Sequence, residues 1–169
     1  ETEMILSTVT SLAVEDVNAA RGQPVWYQLY VDEKWETTRG IVKRVEAAGC
    51  PVMAITVDLP ISNREADTRH HRANNSNCQG CHAPDAGVIP PKPMYTGLVR
   101  TFSDRSFLDW DYVDRIRDIT DMKIVIKGIV TAKDAELAIE HGVDGVIVSN
   151  HGGRAEDSGR STIESLPEV

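Results

Sequence analysis

The chain is 169 residues long, and 41% hydrophobic with 26% charged residues is a composition typical of a folded globular protein. Its formal net charge of −8 argues against general nucleic-acid binding, which needs a basic surface. No apolar run approaches the roughly 20 residues that a membrane-spanning helix needs. No signal peptide is visible, but the chain begins with Glu1 and not with Met, so this observation says little about targeting.

Short apolar segments alternate with amphipathic segments along the first third of the chain. Apolar runs bounded by Gly, Pro or Asp are typical of buried strands, and apolar residues at helical spacing predict helices between them. The predicted elements are, in chain order, a strand end at Met4–Ser7, a short helix capped by Ser11 and stopped near Gly22, a strand at Pro24–Val31, a helix from about Asp32 to a stop at Gly49, and a strand at Val52–Asp58.

Residues 61–106 lack clear periodicity, and we interpret them as an irregular active-site loop. The alternation then resumes with a helix near Trp110–Ile119, a strand at Lys123–Lys127, a helix over Thr131–His141 stopped by Gly142, a strand at Gly145–Ser149, and a helix that starts at Ser161. Alternating strands and helices indicate right-handed parallel crossovers. Such crossovers are typical of a doubly wound sheet and of a (β/α) barrel.

Polar residues near the strand ends favour the barrel. They occur two apart, and residues two apart along a strand share a face. The pairs are Gln28 with Tyr30, Thr56 with Asp58, and Ser149 with His151, and Lys127 ends its own strand in the same way. In a (β/α)8 barrel these side chains would point into the mouth at the carboxyl ends of the strands, where catalytic groups lie.

A complete barrel has eight strands and usually about 250 residues. The predicted fold class is therefore α/β, an incomplete (β/α)8 TIM barrel with about five central strands and their crossover helices. Residues 1–169 are interpreted as one partial barrel domain that contains the 61–106 loop.

The segment Ser149–Arg154 carries the most chemistry. It leaves the apolar strand at Gly145 and precedes a helix start at Ser161, where Glu164 completes a capping-box pattern. His151 is suited to accept a proton, and the Arg154 guanidinium is suited to hold a carboxylate. The sequence thus predicts an acid–base site next to a carboxylate-binding site.

Six segments together resemble the FMN-dependent 2-hydroxy-acid oxidase and dehydrogenase family, which includes glycolate oxidase, lactate oxidase and mandelate dehydrogenase. They occur in family order across nearly the whole chain, as an internal part of a family member. The segments are Leu6–Thr8, Tyr27–Val31, Thr56–Pro60, Arg64–Asp67, Val125–Ile129 and Val148–Arg154.

The resemblance implies a role for each matching polar residue. His151 resembles the family's active-site base, and Asp58 the carboxylate that orients it. Arg154 resembles the arginine that pairs with the substrate carboxylate. Arg64 and Tyr30 resemble further substrate contacts. The resemblance implies FMN as cofactor, with Lys127 beside the flavin N1–O2 edge and polar contacts to the ring from Ser7, Gln28, Thr56 and Ser149.

The implied reaction is oxidation of an (S)-2-hydroxy acid to a 2-oxo acid, with oxygen, a quinone or a cytochrome as electron acceptor. The resemblance also implies a homo-oligomer, commonly a tetramer, and we expect a cytoplasmic or membrane-peripheral location. The alternatives are another FMN- or nucleotide-binding barrel, similar to type 2 isopentenyl diphosphate isomerase or IMP dehydrogenase, and a metal- or haem-binding module.

The last alternative comes from Cys78-Gln79-Gly80-Cys81-His82, which matches the C-x-x-C-H pattern of c-type haem attachment. The same residues, with His70 or His71, could form a metal clip, and the two cysteines could form a disulfide or remain thiols. The motif falls within the 61–106 loop, so we expect it to influence substrate choice. We assign no metal ligand, and we expect Cys50 to be a small core residue.

Overall fold

The computed structural model describes residues 2–59, 92–101, 107–153 and 158–169. Strands and helices alternate through these ranges. The elements are β1 (Ile5–Ser7), α1 (Val14–Arg21), β2 (Trp26–Leu29), α2 (Trp35–Ala47), β3 (Val52–Thr56), a 3₁₀ turn (Pro93–Tyr95), α3 (Trp110–Arg117), β4 (Lys123–Ile129), α4 (Ala132–Glu140), β5 (Gly145–Val148) and α5 (Thr162–Ser165).

The strands of the described residues form one five-stranded sheet in the order β1-β2-β3-β4-β5. Every neighbouring pair is parallel. A doubly wound sheet reverses its strand order at a switch point, whereas barrel strands follow one another in chain order. The order seen here is therefore that of an incomplete (β/α)8 barrel, and the doubly wound alternative is excluded.

The core lies where α2 packs against the central strands. On α2, Ile41, Val42 and Val45 are fully buried, and all five residues of β3 are buried. A central parallel strand is covered on both faces, which is why β3 reads as a continuous apolar run. Cys50 is a buried core residue, as predicted. Among the helices of the described ranges, none is long and apolar enough to cross a membrane.

The helix ends follow the glycine and cap signals in most places. Gly22 and Gly49 have φ angles of 75° and 78°, the left-handed conformation that ends helices. Thr131 caps α4 by accepting a hydrogen bond from the backbone amide of Asp134. At α5, the Glu164 carboxylate accepts a hydrogen bond from the backbone amide of Ser161.

Two predicted helix starts are wrong. Ser11 does not cap α1, which begins at Val14 after Ala13, a residue that provides no side-chain cap. The second helix begins at Trp35 and not near Asp32. The Asp32 carboxylate instead accepts hydrogen bonds from the backbone amides of Lys34 and Thr101, so it fixes the loop before the helix.

Candidate active site

Three polar side chains form a row across the carboxyl ends of β1, β2 and β3. The Ser7 hydroxyl donates to Gln28 Oε1 at 2.9 Å, and Gln28 Nε2 donates to Thr56 Oγ1 at 2.7 Å. The register pairs Ser7 with Gln28 across β1 and β2, so the row follows directly from strand pairing. Gln28 and Thr56 are both buried. The row therefore forms a fixed polar floor at this end of the sheet.

Asp58 is the centre of a second polar layer, two residues beyond Thr56. Its Oδ1 is 2.6 Å from His151 Nδ1, and its Oδ2 is 2.7 Å from Lys127 Nζ. The Ser149 hydroxyl also donates to Oδ2. The side chains are 3% exposed for Asp58, 10% for His151 and 24% for Lys127, so His151 and Lys127 share one largely buried carboxylate.

The charge of Asp58 is set by two opposing effects. Burial raises the pKa of the Asp58 carboxyl, while hydrogen bonds from Lys127, Ser149 and His151 lower it. The hydrogen bonds prevail, and the pKa of Asp58 lies below its usual value. Asp58 is therefore a carboxylate at neutral pH. A buried lysine is costly without an anion, and Asp58 supplies that anion for Lys127.

His151 is held in an unusual backbone conformation. Its φ angle is 56°, and it is the one non-glycine residue with positive φ in the described ranges. Its backbone amide donates to the Ser149 hydroxyl at 3.1 Å. Gly152 and Gly153 continue the left-handed backbone with φ angles of 70° and 74°. This turn explains the glycine pair, and it directs the His151 ring back over Asp58.

Tyr30 lies on the other side of the imidazole. Its hydroxyl is 3.4 Å from His151 Nε2, the ring nitrogen that does not contact Asp58. The two ring centroids are 6.5 Å apart. Because Asp58 engages Nδ1, Nε2 is the nitrogen able to exchange a proton with a bound molecule. The arrangement provides a proton acceptor at Nε2, a carboxylate that stabilises its charged form, and a phenol beside Nε2.

The described residues bring most of the predicted site together. The predicted residues found in these two layers are Ser7, Gln28, Tyr30, Thr56, Asp58, Lys127, Ser149 and His151. Both arginines, Arg64 and Arg154, lie outside the described residues, as does the whole Cys78–His82 motif. The substrate-carboxylate assignments and the metal or haem alternative therefore remain predictions.

Two residues near the site have roles that the sequence did not reveal. Thr8, fully buried, donates its hydroxyl to the Gln28 carbonyl and accepts from the Tyr30 amide, which joins the ends of β1 and β2. Gly128 lies against the backbone of Asp58. Nothing in the sequence predicts the role of Thr8 except its place after Ser7. The role of Gly128 was predictable, since a glycine inside a strand pattern indicates a bulge or a close backbone approach.

A model of the FMN-dependent dehydrogenase family matches residues 1–169 of the chain. Among curated relatives, human 2-hydroxyacid oxidase 2 is 35% identical over 167 residues, covering 98% of this chain and 46% of the relative. L-lactate oxidase from Nostoc sp. is 33% identical over 183 residues, covering 99% of this chain and 48% of the relative.

Solved structures of flavocytochrome b2 and mandelate oxidase are also similar to this chain. A flavocytochrome b2 mutant with pyruvate bound has a TM-score of 0.72 and 34% identity, covering 99% of this chain and 38% of that one. A mandelate oxidase mutant with benzaldehyde has a TM-score of 0.69 and 30% identity, covering 97% of this chain and 43% of that one. The chain thus spans about half the length of the curated relatives it matches.

Proposed function

The chain belongs to the family of FMN-dependent dehydrogenases, and we propose that it carries the catalytic acid–base site of an enzyme that oxidises an (S)-2-hydroxy acid to a 2-oxo acid. The observation that carries this proposal is the buried contact of 2.6 Å between Asp58 and His151 Nδ1, with Tyr30 beside Nε2. The names of the relatives, 2-hydroxyacid oxidase and L-lactate oxidase, support the substrate class.

The polar floor fits the family's cofactor. Gln28 Nε2 has two protons and gives one to Thr56, and the Thr56 hydroxyl accepts that bond while its own proton has no acceptor among the described residues. These two spare donors suit the carbonyl and nitrogen edge of a flavin ring. The Ser7 and Ser149 hydroxyls already donate to Gln28 and Asp58, so they would only accept hydrogen bonds there. Bound FMN would supply the acceptor for the two electrons that the substrate loses.

Lys127 would add a positive charge next to that edge. The backbone of Lys127 is paired in register with Thr56 across β3 and β4, so Lys127 starts at the level of the polar floor. Its amine reaches the next layer, where it contacts Asp58. We propose that Lys127 shares its charge between Asp58 and the flavin edge. A fixed cation there favours negative charge on the ring.

In the proposed reaction, His151 Nε2 accepts one proton from the substrate. The imidazolium that results would be stabilised by the Asp58 carboxylate, which contacts Nδ1 at 2.6 Å. The Tyr30 hydroxyl, 3.4 Å from Nε2, would hold the substrate oxygen at the same point. Arg154 and Arg64 are the candidates for binding the substrate carboxylate, because the segments that contain them resemble those of the family.

Replacing Gln28 with methionine is expected to weaken FMN binding by about tenfold, since a hydrogen bond is worth about 1 kcal/mol and a buried partner is left unsatisfied. The change keeps the length of the side chain but breaks the row between Ser7 and Thr56. Quenching of FMN fluorescence on titration measures the affinity. Gln23→Met, before the start of β2, is the matched control; equal affinities for all three proteins would contradict the role of Gln28.

Replacing Arg154 with methionine is expected to raise KM for the hydroxy acid by about 10- to 100-fold, the value of one or two charge-assisted hydrogen bonds. FMN affinity should stay within about twofold, because the guanidinium is assigned to the substrate carboxylate. Arg160→Met is the matched control, since Arg160 pairs with Glu168 at 2.9 Å. Equal losses of substrate and FMN affinity would count against the assignment.

The function is tested by product formation. The whole protein, loaded with FMN, is incubated with glycolate, (S)-lactate and (S)-mandelate, in air and with an artificial electron acceptor, and the 2-oxo acid is quantified. The proposal predicts product from at least one acid, and the comparison of acceptors separates an oxidase from a dehydrogenase. Bound FMN with no 2-oxo acid under either condition would refute it.

A further inference from the structure

Gly128 interrupts the pairing of β4 with β5. The register pairs Lys127 with Ile147 and Ile129 with Val148, so Gly128 is bulged out of the ladder. Its φ angle is 122°, a conformation that residues with a side chain rarely adopt. A bulge next to a site typically redirects a neighbouring side chain.

The bulge faces Asp58 directly. A Cβ atom built on Gly128 would lie 2.5 Å from Asp58 Cβ and 2.6 Å from the Asp58 backbone nitrogen. Ordinary contacts of a Cβ begin at about 3.4 Å, so a side chain at position 128 would displace Asp58 by nearly 1 Å. The obstacle is backbone and Cβ of Asp58, which cannot yield as the end of a flexible side chain can.

A displacement of this size matters because the contacts of Asp58 are short. Its oxygens lie 2.6 Å from His151 Nδ1 and 2.7 Å from Lys127 Nζ. The end of β3 is also tied to β4, since the Val57 amide donates to the Lys127 carbonyl at 2.9 Å. Asp58 is therefore held in place by the hydrogen bond from Val57 to Lys127 on one side and by the Cα of Gly128 on the other.

We propose that Gly128 is a positioning residue: the absence of a side chain there sets the distance from Asp58 to His151. This inference rests on the proposed function, since it concerns the carboxylate that supports the proposed base. Gly128 has no side chain that could exchange a proton, so it is not a catalytic residue.

The test compares Gly128→Ala with two glycine controls in the FMN-loaded protein. At Gly145, in β5, an added Cβ would meet only Val125 at 3.7 Å, which is ordinary contact. At Gly22, with a φ angle of 75°, an added Cβ would meet nothing within 4 Å, so Gly22→Ala carries backbone strain without a clash. Thermal unfolding of all three variants measures their stability.

For Gly128→Ala we expect kcat to fall about 100-fold, the effect of a 1 Å displacement in an active site. KM and FMN affinity should stay within about threefold, because Asp58 is assigned to His151 and Lys127 and contacts neither the substrate nor the flavin in the proposed site. The downfield proton resonance of His151 Nδ1–H, in protein with ¹⁵N-labelled histidine, should move upfield as the bond to Asp58 lengthens. Both controls should leave kcat and this resonance unchanged.

Gly128→Ala with wild-type kcat and an unmoved His151 resonance would overturn the inference. If this variant does not fold, a crystal structure of the wild-type holoenzyme decides: a built Cβ at 128 more than 3.4 Å from Asp58 refutes the role, and a shorter distance supports it. Failure of the proposed function is a separate result. It would be seen as the absence of 2-oxo acid from the FMN-loaded wild-type protein, whereas the His151 resonance of Gly128→Ala is measured without turnover.

Discussion

Replacing His151 with glutamine is expected to lower kcat for the hydroxy acid by about 1,000-fold and to leave FMN bound, within the range that general acid–base catalysis contributes. Glutamine can fill part of the space and form hydrogen bonds, but it cannot accept the proton. The proton therefore has no acceptor beside Tyr30, whose hydroxyl is 3.4 Å from Nε2. Stopped-flow measurement of flavin absorbance after anaerobic mixing with substrate gives the rate of this step.

His141→Gln is the matched control. The His141 ring, directly after α4, stacks on Trp110 and lies 2.9 Å from Asp114, both on α3. This variant should keep wild-type kcat within about twofold, because its ring is outside the site. Turnover of His151→Gln within a few-fold of wild type would rule out His151 as the base.

Replacing Asp58 with asparagine is expected to lower kcat by at least about 100-fold, because the imidazolium loses the charge that stabilises it. It also leaves the Lys127 ammonium beside a neutral amide in a largely buried place. Breaking a buried ion pair in this way destabilises the fold by about 3 kcal/mol. Asp58 is 6% exposed, so solvent does not replace the lost charge. Urea unfolding and steady-state kinetics measure the two losses separately.

Asp144→Asn is the control for Asp58→Asn. Asp144 is also a carboxylate whose pKa is lowered, by hydrogen bonds from Lys123 and the Ile124 amide, but it lies at the opposite end of β4. Its replacement should cost stability and leave kcat within about twofold. Equal kcat for Asp58→Asn and Asp144→Asn would contradict the role of Asp58.

The pH dependence of stability gives a further signature of Asp58. Its pKa is lower in the folded protein than in the unfolded chain, so its contribution to stability is complete above the unfolded value of about 3.9. The contribution is lost as the pH falls through the lower, folded value. The difference in free energy of unfolding between wild type and Asp58→Asn should therefore shrink as the pH falls below about 4. A difference that grows over that acidic range would contradict this assignment.

The sequence predicted which side chains lie together where spacing along a strand decides their position. Gln28 with Tyr30 and Thr56 with Asp58 are two apart, and strand geometry alone puts both members of each pair on one face. Parallel pairing puts the ends of β3, β4 and β5 at one edge of the sheet. Because β4 lies between the strands that precede Asp58 and His151, their contact also depends on the left-handed turn at His151. The fold class was predicted from the same two rules, the shared face of residues two apart and the parallel pairing of successive strands.

Spacing along one strand does not predict the contacts between side chains of different strands. The sequence placed Lys127 beside a flavin but did not reveal that its amine lies 2.7 Å from Asp58. Likewise, the Ser149 hydroxyl contacts both Asp58 and the His151 amide, which depends on the left-handed turn after β5. Ser11 fails as a cap because capping depends on a local backbone geometry that residue type only favours.

The most direct test is an anaerobic absorbance titration of the whole protein, loaded with FMN, with glycolate, (S)-lactate and (S)-mandelate in turn. The site described here predicts that at least one acid bleaches the flavin bands in the wild type, and that the same acid bleaches His151→Gln about 1,000-fold more slowly. Bound flavin that none of the three acids bleaches would contradict oxidation of 2-hydroxy acids at this site.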